Sequence, residues 1–245
     1  MPPTPAPAPG APAAQLPADA PVVIAAHGTA EEAGLRTVEA MAERVATALP
    51  GRQVRVGYLD VVGPTVGETL AALDAPALVV PLLLAPGYHV DVDLPAVAAA
   101  AAHPVVCTAP VGPDERLVGL ALRRLLEAGY EPGGPVVLGA AGSSSARSAA
   151  ATAQAVRWLA ARTGGEVVAA YASATPPTPA EAVARLRAGG ARRVALATYL
   201  LAPGFFAERM HDAGADLVSA PLGDAPEVTE VVLDRVAGRG PAPLP

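Results

Sequence analysis

Along the chain, short apolar runs alternate with longer stretches in which apolar residues recur every three or four positions. The runs Val22–Ala26, Gln53–Tyr58, Ala77–Leu84 and Val105–Cys107 have strand length and predict buried strands. Between the first two, Glu31–Leu49 sets Leu35, Val38, Met41, Val45 and Leu49 on one helical face. Thr29, with Glu32 three residues on, fits a capping box at its start. Thr65–Leu73 after Gly63-Pro64, Val92–Ala102, and Asp114–Ala128 before Gly129 read as three further helices. Strands that alternate with helices in this way predict a parallel sheet covered by helices.

From Pro135 the pattern starts again. Val136–Gly142 (VVLGAAG) lines up with Val22–Gly28 (VVIAAHG), and the helix Ser145–Arg162 follows as Glu31–Leu49 did. Glu166–Tyr171 and Pro179–Ala188 match the second strand and helix. Val194–Gly204 matches Leu78–Gly87, both ending in Leu-Leu-Ala-Pro-Gly, and Val228–Ala237 closes the half as a helix. The expected fold is α/β: two tandem βα domains, each with a mainly parallel four-stranded sheet flanked by helices. A pseudo-twofold relates them, with a cleft between. The expected boundaries are a disordered Pro/Ala-rich tail over 1–20, domains over 21–131 and 132–238, and a short tail over 239–245.

Composition narrows the function. Hydrophobic residues make up 52% of the 245 positions but aromatics only 3%, so the cores must be built from Val, Leu and Ala, with Trp158 as a core position. A net charge of −6 argues against a nucleic-acid binder. Every basic residue is Arg; without Lys no P-loop is possible, and no Gly-rich dinucleotide fingerprint follows Val22–Ala26. The single cysteine, Cys107, excludes an internal disulfide and a CxxC metal site. No signal-peptide pattern and no membrane-length apolar run is present, which predicts a cytoplasmic protein with no membrane partner. Ser143-Ser144-Ser145 follows a strand but lacks the G-x-S-x-G elbow and reads as a flexible turn. His103 and His211 have no motif around them, and His211 reads as exposed on a helix.

The candidate chemistry sits at two strand ends of the first half. Val22–Ala26 ends in His27-Gly28-Thr29, and the third apolar run ends in Ala85-Pro86-Gly87, followed by Tyr88, His89, Asp91 and Asp93. Both histidines fall in loops at one end of the first sheet, where parallel sheets bind ligands. The second half has Ala141 and Phe206 at the matching positions. Two imidazoles form an incomplete shell for a first-row divalent ion, with positions left for an incoming ligand. Asp91 and Asp93 either orient a ring or attract the cation; alternatively Asp91 caps the following helix.

His27-Gly28-Thr29 after the first strand, and Pro81-Leu-Leu-Leu-Ala-Pro-Gly-Tyr-His89-Val90 after the third, resemble the class II sirohydrochlorin chelatases (SirB and CbiX type, long two-domain form). The resemblance covers residues 21–238. It implies a lyase that inserts Fe²⁺, or alternatively Co²⁺, into sirohydrochlorin for sirohaem or cobalamin synthesis. It implies no cofactor beyond that substrate metal. The family's metal-handling and catalytic histidines carry over to His27 and His89, and the second half resembles a degenerate one. On this reading Leu84, Tyr88, Ala202, Phe205 and Phe206 are expected to contact the macrocycle. Arg209, in the loop after Pro203-Gly204, is the first candidate for its carboxylates. Tandem fusion favours a monomer. The competing readings are a non-catalytic tetrapyrrole or metal carrier, and a structural α/β domain with incidental histidines.

Overall fold

The computed structural model describes residues 16–240. The first half contains β1 (Val22–Ala26), α1 (Glu32–Ala48), β2 (Val54–Tyr58), α2 (Val66–Ala71), β3 (Ala77–Pro81), α3 (Leu94–Ala100), β4 (Val105–Cys107) and α4 (Glu115–Glu127). A π-helical turn, His89–Asp93, leads into α3. The second half contains β5 (Val136–Ala140), α5 (Ala146–Thr163), β6 (Val167–Tyr171), α6 (Pro179–Ala188), β7 (Ala195–Thr198), α7 (Phe205–His211), β8 (Leu217–Val218) and α8 (Pro226–Val236). The strands form two four-stranded sheets in the orders β2-β1-β3-β4 and β6-β5-β7-β8. All pairings between these strands are parallel.

Strand alternation divides each sheet between two cores. Val22, Ile24 and Ala26 face one cluster with Leu78 and Val80, while Val23, Ala25 and Val79 face another with Val66, Leu70 and Leu94 of the outer helices. In the second sheet Val136 and Leu138 face inward, and Val137 and Leu196 pack outward against Val183, Leu186 and Met210. The two inward faces share one continuous core.

That core is closed by an exchange. The last helix of each half packs against the opposite sheet: α4 lies on β7 and beside α5, and α8 lies on β3 and beside α1. Leu117, Leu120 and Leu125 of α4, with Val228, Val231 and Val232 of α8, are buried within it. One charged group is buried in this seam. Arg235 of α8 donates to the carbonyls of Pro110 and Val111 and to Asp114, the N-cap of α4.

Several local expectations are corrected. Thr29 and Glu32 form no capping box; Glu31 occupies the N-cap position and Thr29 Oγ1 accepts from its N–H. Thr29 is instead engaged against the other half, as described below. The box forms at Thr65–Glu68 and at Thr178–Glu181, matching positions of the two halves. The third helical segment begins at His89 rather than Val92, so His89 stands on a helical turn and not in a loop. Asp91 therefore lies inside the turn and caps nothing. Strand β8 was not legible, being only two residues long. Residues 1–15 of the expected tail lie outside the described residues. Its end is not free: Ala20 is buried and its carbonyl accepts two hydrogen bonds from Arg52. Trp158 is only partly buried against the shared core. No described helix is long and apolar enough to cross a membrane.

Burial alone would raise the carboxyl of Asp114, but hydrogen bonds from Arg116 and the charges of Arg116 and Arg235 hold it below its ordinary value. Its stabilisation is present above the unfolded-state value of about 3.9 and is lost as pH falls through the lower native value. Arg235→Met should therefore lower the unfolding free energy at neutral pH by about 3–5 kcal/mol, because it leaves a carboxylate and two carbonyls without their buried donor. Urea denaturation measures this, and the deficit should narrow once acid protonates Asp114.

Candidate metal centre

The carboxyl ends of both sheets open on one cavity of about 640 Å³ lined from both halves. Two pairs of loops close its sides in matching fashion. A Cβ added to Gly87 would sit 3.3 Å from Ser143 Oγ, and one on Gly204 would sit 2.9 Å from Thr29 Oγ1. Each Pro-Gly loop thus closes on the first loop of the opposite half. Gly28 and Gly142 have φ of 100° and 96°, and a Cβ on either would overlap a carbonyl oxygen, that of Asp60 or Ser173. These turns need glycine, and they bring His27 and Ala141 to the cavity wall.

His27 leaves the end of β1, and His89 opens the π-helical turn after β3, the neighbouring strand. Their ring centroids lie 5.1 Å apart with an interplanar angle of 86°. His89 Nδ1 lies 2.6 Å from Asp93 Oδ2. A carboxylate accepts only, so the ring carries its proton on Nδ1 and leaves the Nε2 lone pair for a ligand or proton. Asp93 is thus the orienting partner anticipated from the sequence. Asp91 instead pairs with Arg147 of the second half.

Around the histidines the wall is apolar. Phe206 packs its ring 6.0 Å from that of His27, and Leu84, Tyr88, Ala202 and Phe205 also line the cavity. Tyr88 and Phe205 are largely exposed at its mouth. Arg209 is displaced from its expected place: it lies on α7, does not line the cavity, and sets its guanidinium 5.8 Å from the centre of the Phe205 ring. The Ser143–Ser145 segment is a turn, and Ser143 and Ser144 line the cavity. His103 Nε2 bonds to the Leu70 carbonyl outside the cavity, and His211 is exposed. Burial pushes the Cys107 thiol up to about 11, so it stays protonated near neutrality.

Two lining residues escaped the sequence. Tyr199 is buried, its hydroxyl has no hydrogen-bond partner, and burial raises its pKa. The repeat held a signal, since Tyr199 occupies the position of Leu82 in the first half. Val61, a β-branched residue at φ 71°, stands largely exposed at the mouth, and Ala174 repeats the conformation at φ 67°. Among the described residues no group of three or more His, Cys, Asp or Glu is placed to hold a metal.

Two parallel α/β halves, with paired imidazoles on the wall of the cavity they share, define the fold and its candidate site. The CbiX family model matches residues 21–128 and 135–239, and the chain belongs to the CbiX family. Its fold is that of SirB from Bacillus subtilis with Fe³⁺, at TM-score 0.73 and 21% identity over 91% of this chain and 96% of that one. The sirohydrochlorin chelatase SirB from Bacillus subtilis subspecies spizizenii in complex with cobalt is similar at TM-score 0.72 and 19% identity, over 91% and 95%. CbiX, the terminal enzyme for biosynthesis of siroheme in denitrifying bacteria, is similar at TM-score 0.67 and 24% identity, over 89% and 98%. No curated protein sequence matches the chain significantly.

Asp93→Ala should release the His89 ring. Nitrogen NMR of the side chain should then report a mixture of neutral tautomers in place of the Nδ1–H form alone.

Proposed function

We propose that this protein is a sirohydrochlorin chelatase that inserts Fe²⁺ or Co²⁺ into the metal-free ring, for sirohaem or cobalamin synthesis. The observation that carries the reading is the 5.1 Å pairing of His27 and His89 on a cavity to which the opposite half adds Ala202, Phe205 and Phe206. Family membership supports the same chemistry, and the metal bound differs between the two similar SirB structures, iron in one and cobalt in the other. The active centre belongs to the 21–131 repeat. The 132–238 repeat supplies the facing wall, because Ala141 and Phe206 stand where the histidines would be.

In this mechanism His27 and His89 hold the divalent ion through one nitrogen each. The ring enters against Phe205, Phe206 and Tyr88. As the ion passes to the four pyrrole nitrogens, each imidazole regains a lone pair. Two pyrrole N–H protons must leave for each doubly charged ion that enters, so the charge balances if each freed imidazole accepts one. Asp93 stabilises the resulting His89 imidazolium through Nδ1. Sirohydrochlorin and the ion are the only partners this route requires. We read the protein as a cytoplasmic monomer with no further cofactor, since the two repeats already bury a common core.

His89→Ala should abolish insertion of either metal while leaving the thermal midpoint within a few degrees, since the side chain is partly exposed. His27→Ala should reduce turnover by at least about a hundredfold, the scale of losing one acid–base group. Turnover equal to wild type in both variants would remove the assignment. Ring binding by the wild-type protein without faster insertion than in free solution would mark a carrier instead.

A further inference from the structure

We propose that Arg147 recognises a carboxylate of the tetrapyrrole, and that it is held at the cavity mouth beforehand by an exchangeable ion pair with Asp91. The proposal rests on the chelatase reading. Among the described residues that line the cavity none is Arg, and the chain has no Lys. A ring carrying many carboxylates must therefore find its cations at the mouth.

Arg147 stands where such a cation is needed. It lies in the first turn of α5, a helix that springs from the cavity-lining segment Gly142–Ser144 and whose next residue, Ser148, lines the cavity as well. Its presence there, with no acid beside it, sets α5 apart from most of the other helices. Helices α1, α4, α6 and α8 carry Glu32, Glu115, Glu181 and Glu227 in their first turns, as the positive end of a helix dipole favours. Helix α5 has no acid in that turn and places Arg147 there instead. A residue that opposes its own helix end without a local gain points to a role outside the helix.

Its present partner explains how that role is engaged. Arg147 reaches across the two halves to Asp91, at 2.5 Å, with two-thirds of its own side chain exposed. An exposed pair of this kind contributes little to stability. The pair is a single Nη1–Oδ1 contact, so exchanging the Asp91 carboxylate for one on the ring keeps that contact and leaves the rest of the guanidinium fork for a second. Asp91 sits two residues from His89 on the same π-helical turn. Its release leaves an uncompensated negative charge beside the imidazole pair, which favours the incoming cation. Docking of the ring and retention of the ion then reinforce one another.

The test follows binding of metal-free sirohydrochlorin by its fluorescence, and Co²⁺ insertion at steady state, in wild type, R147A, D91N and the double variant. R147A should weaken ring binding and raise KM by about tenfold with a much smaller change in kcat, the scale of one lost charge-assisted contact. D91N should tighten ring binding, because it removes the competitor, and this gain should vanish in the R147A background. If the pair only ties the halves together, R147A and D91N will act alike and both will lower the thermal midpoint; that result overturns the proposal. So does a D91N gain that persists without Arg147, which would reflect general charge. Wild-type ring affinity in R147A removes the Arg147 assignment while leaving the chelatase reading intact. Failure of the wild type to bind the ring removes both.

Discussion

The structure depends on the reciprocal exchange of α4 and α8. Each sheet has two apolar faces, and each half supplies only enough of its own helices to cover one face and part of the other. The uncovered part is closed by the final helix of the opposite half. Burial of Leu117, Leu120 and Leu125 against one sheet and Val228, Val231 and Val232 against the other removes large apolar areas from water at the same seam. Arg235 then fixes the register of that seam, since its fork must meet two carbonyls and the Asp114 carboxylate at once. With the sheets so held, their carboxyl ends share one cavity.

The two halves keep the same frame and differ where the chemistry lies. Gly28 and Gly142 make the same left-handed turn against the same kind of carbonyl. Thr65 and Thr178 close equivalent capping boxes. Where the frame is repeated, side chains follow backbone need. Where it is not, the first half presents His27 and His89 and the second presents Ala141 and Phe206. The result is one cavity whose paired imidazoles come from the first half alone. That asymmetry suits a ligand with a flat apolar face and a reactive centre.

Much of this was legible in the sequence, and the limits have physical causes. Strand and helix periodicity located the buried elements, because burial alternation and the 3.6-residue face survive in any sequence that packs. The histidine pair was legible because strand order places β1 beside β3. The exchange was not, since periodicity reports that a face is apolar and not which element covers it. The capping box was assigned to Thr29 because its spacing fits, but its hydroxyl lies at the contact between the two halves. A helix was read at His211, but its start was not, so Arg209 was taken for a loop residue although α7 begins at Phe205. Tyr199 was marked only by its difference from Leu82 in the repeat, and Arg147 by nothing, because an unpaired hydroxyl and a cross-half contact are displayed by coordinates alone.

The swapped helices carry a consequence for dissection of the chain. A cut in the connection between Ala128 and Pro135 would yield two fragments, each with a bare sheet surface and a surplus helix fitted to the other. Neither fragment is a module in its own right, and the pair is stable only by complementation. The same geometry would close for two identical half-length chains, each lending its terminal helix to its twin.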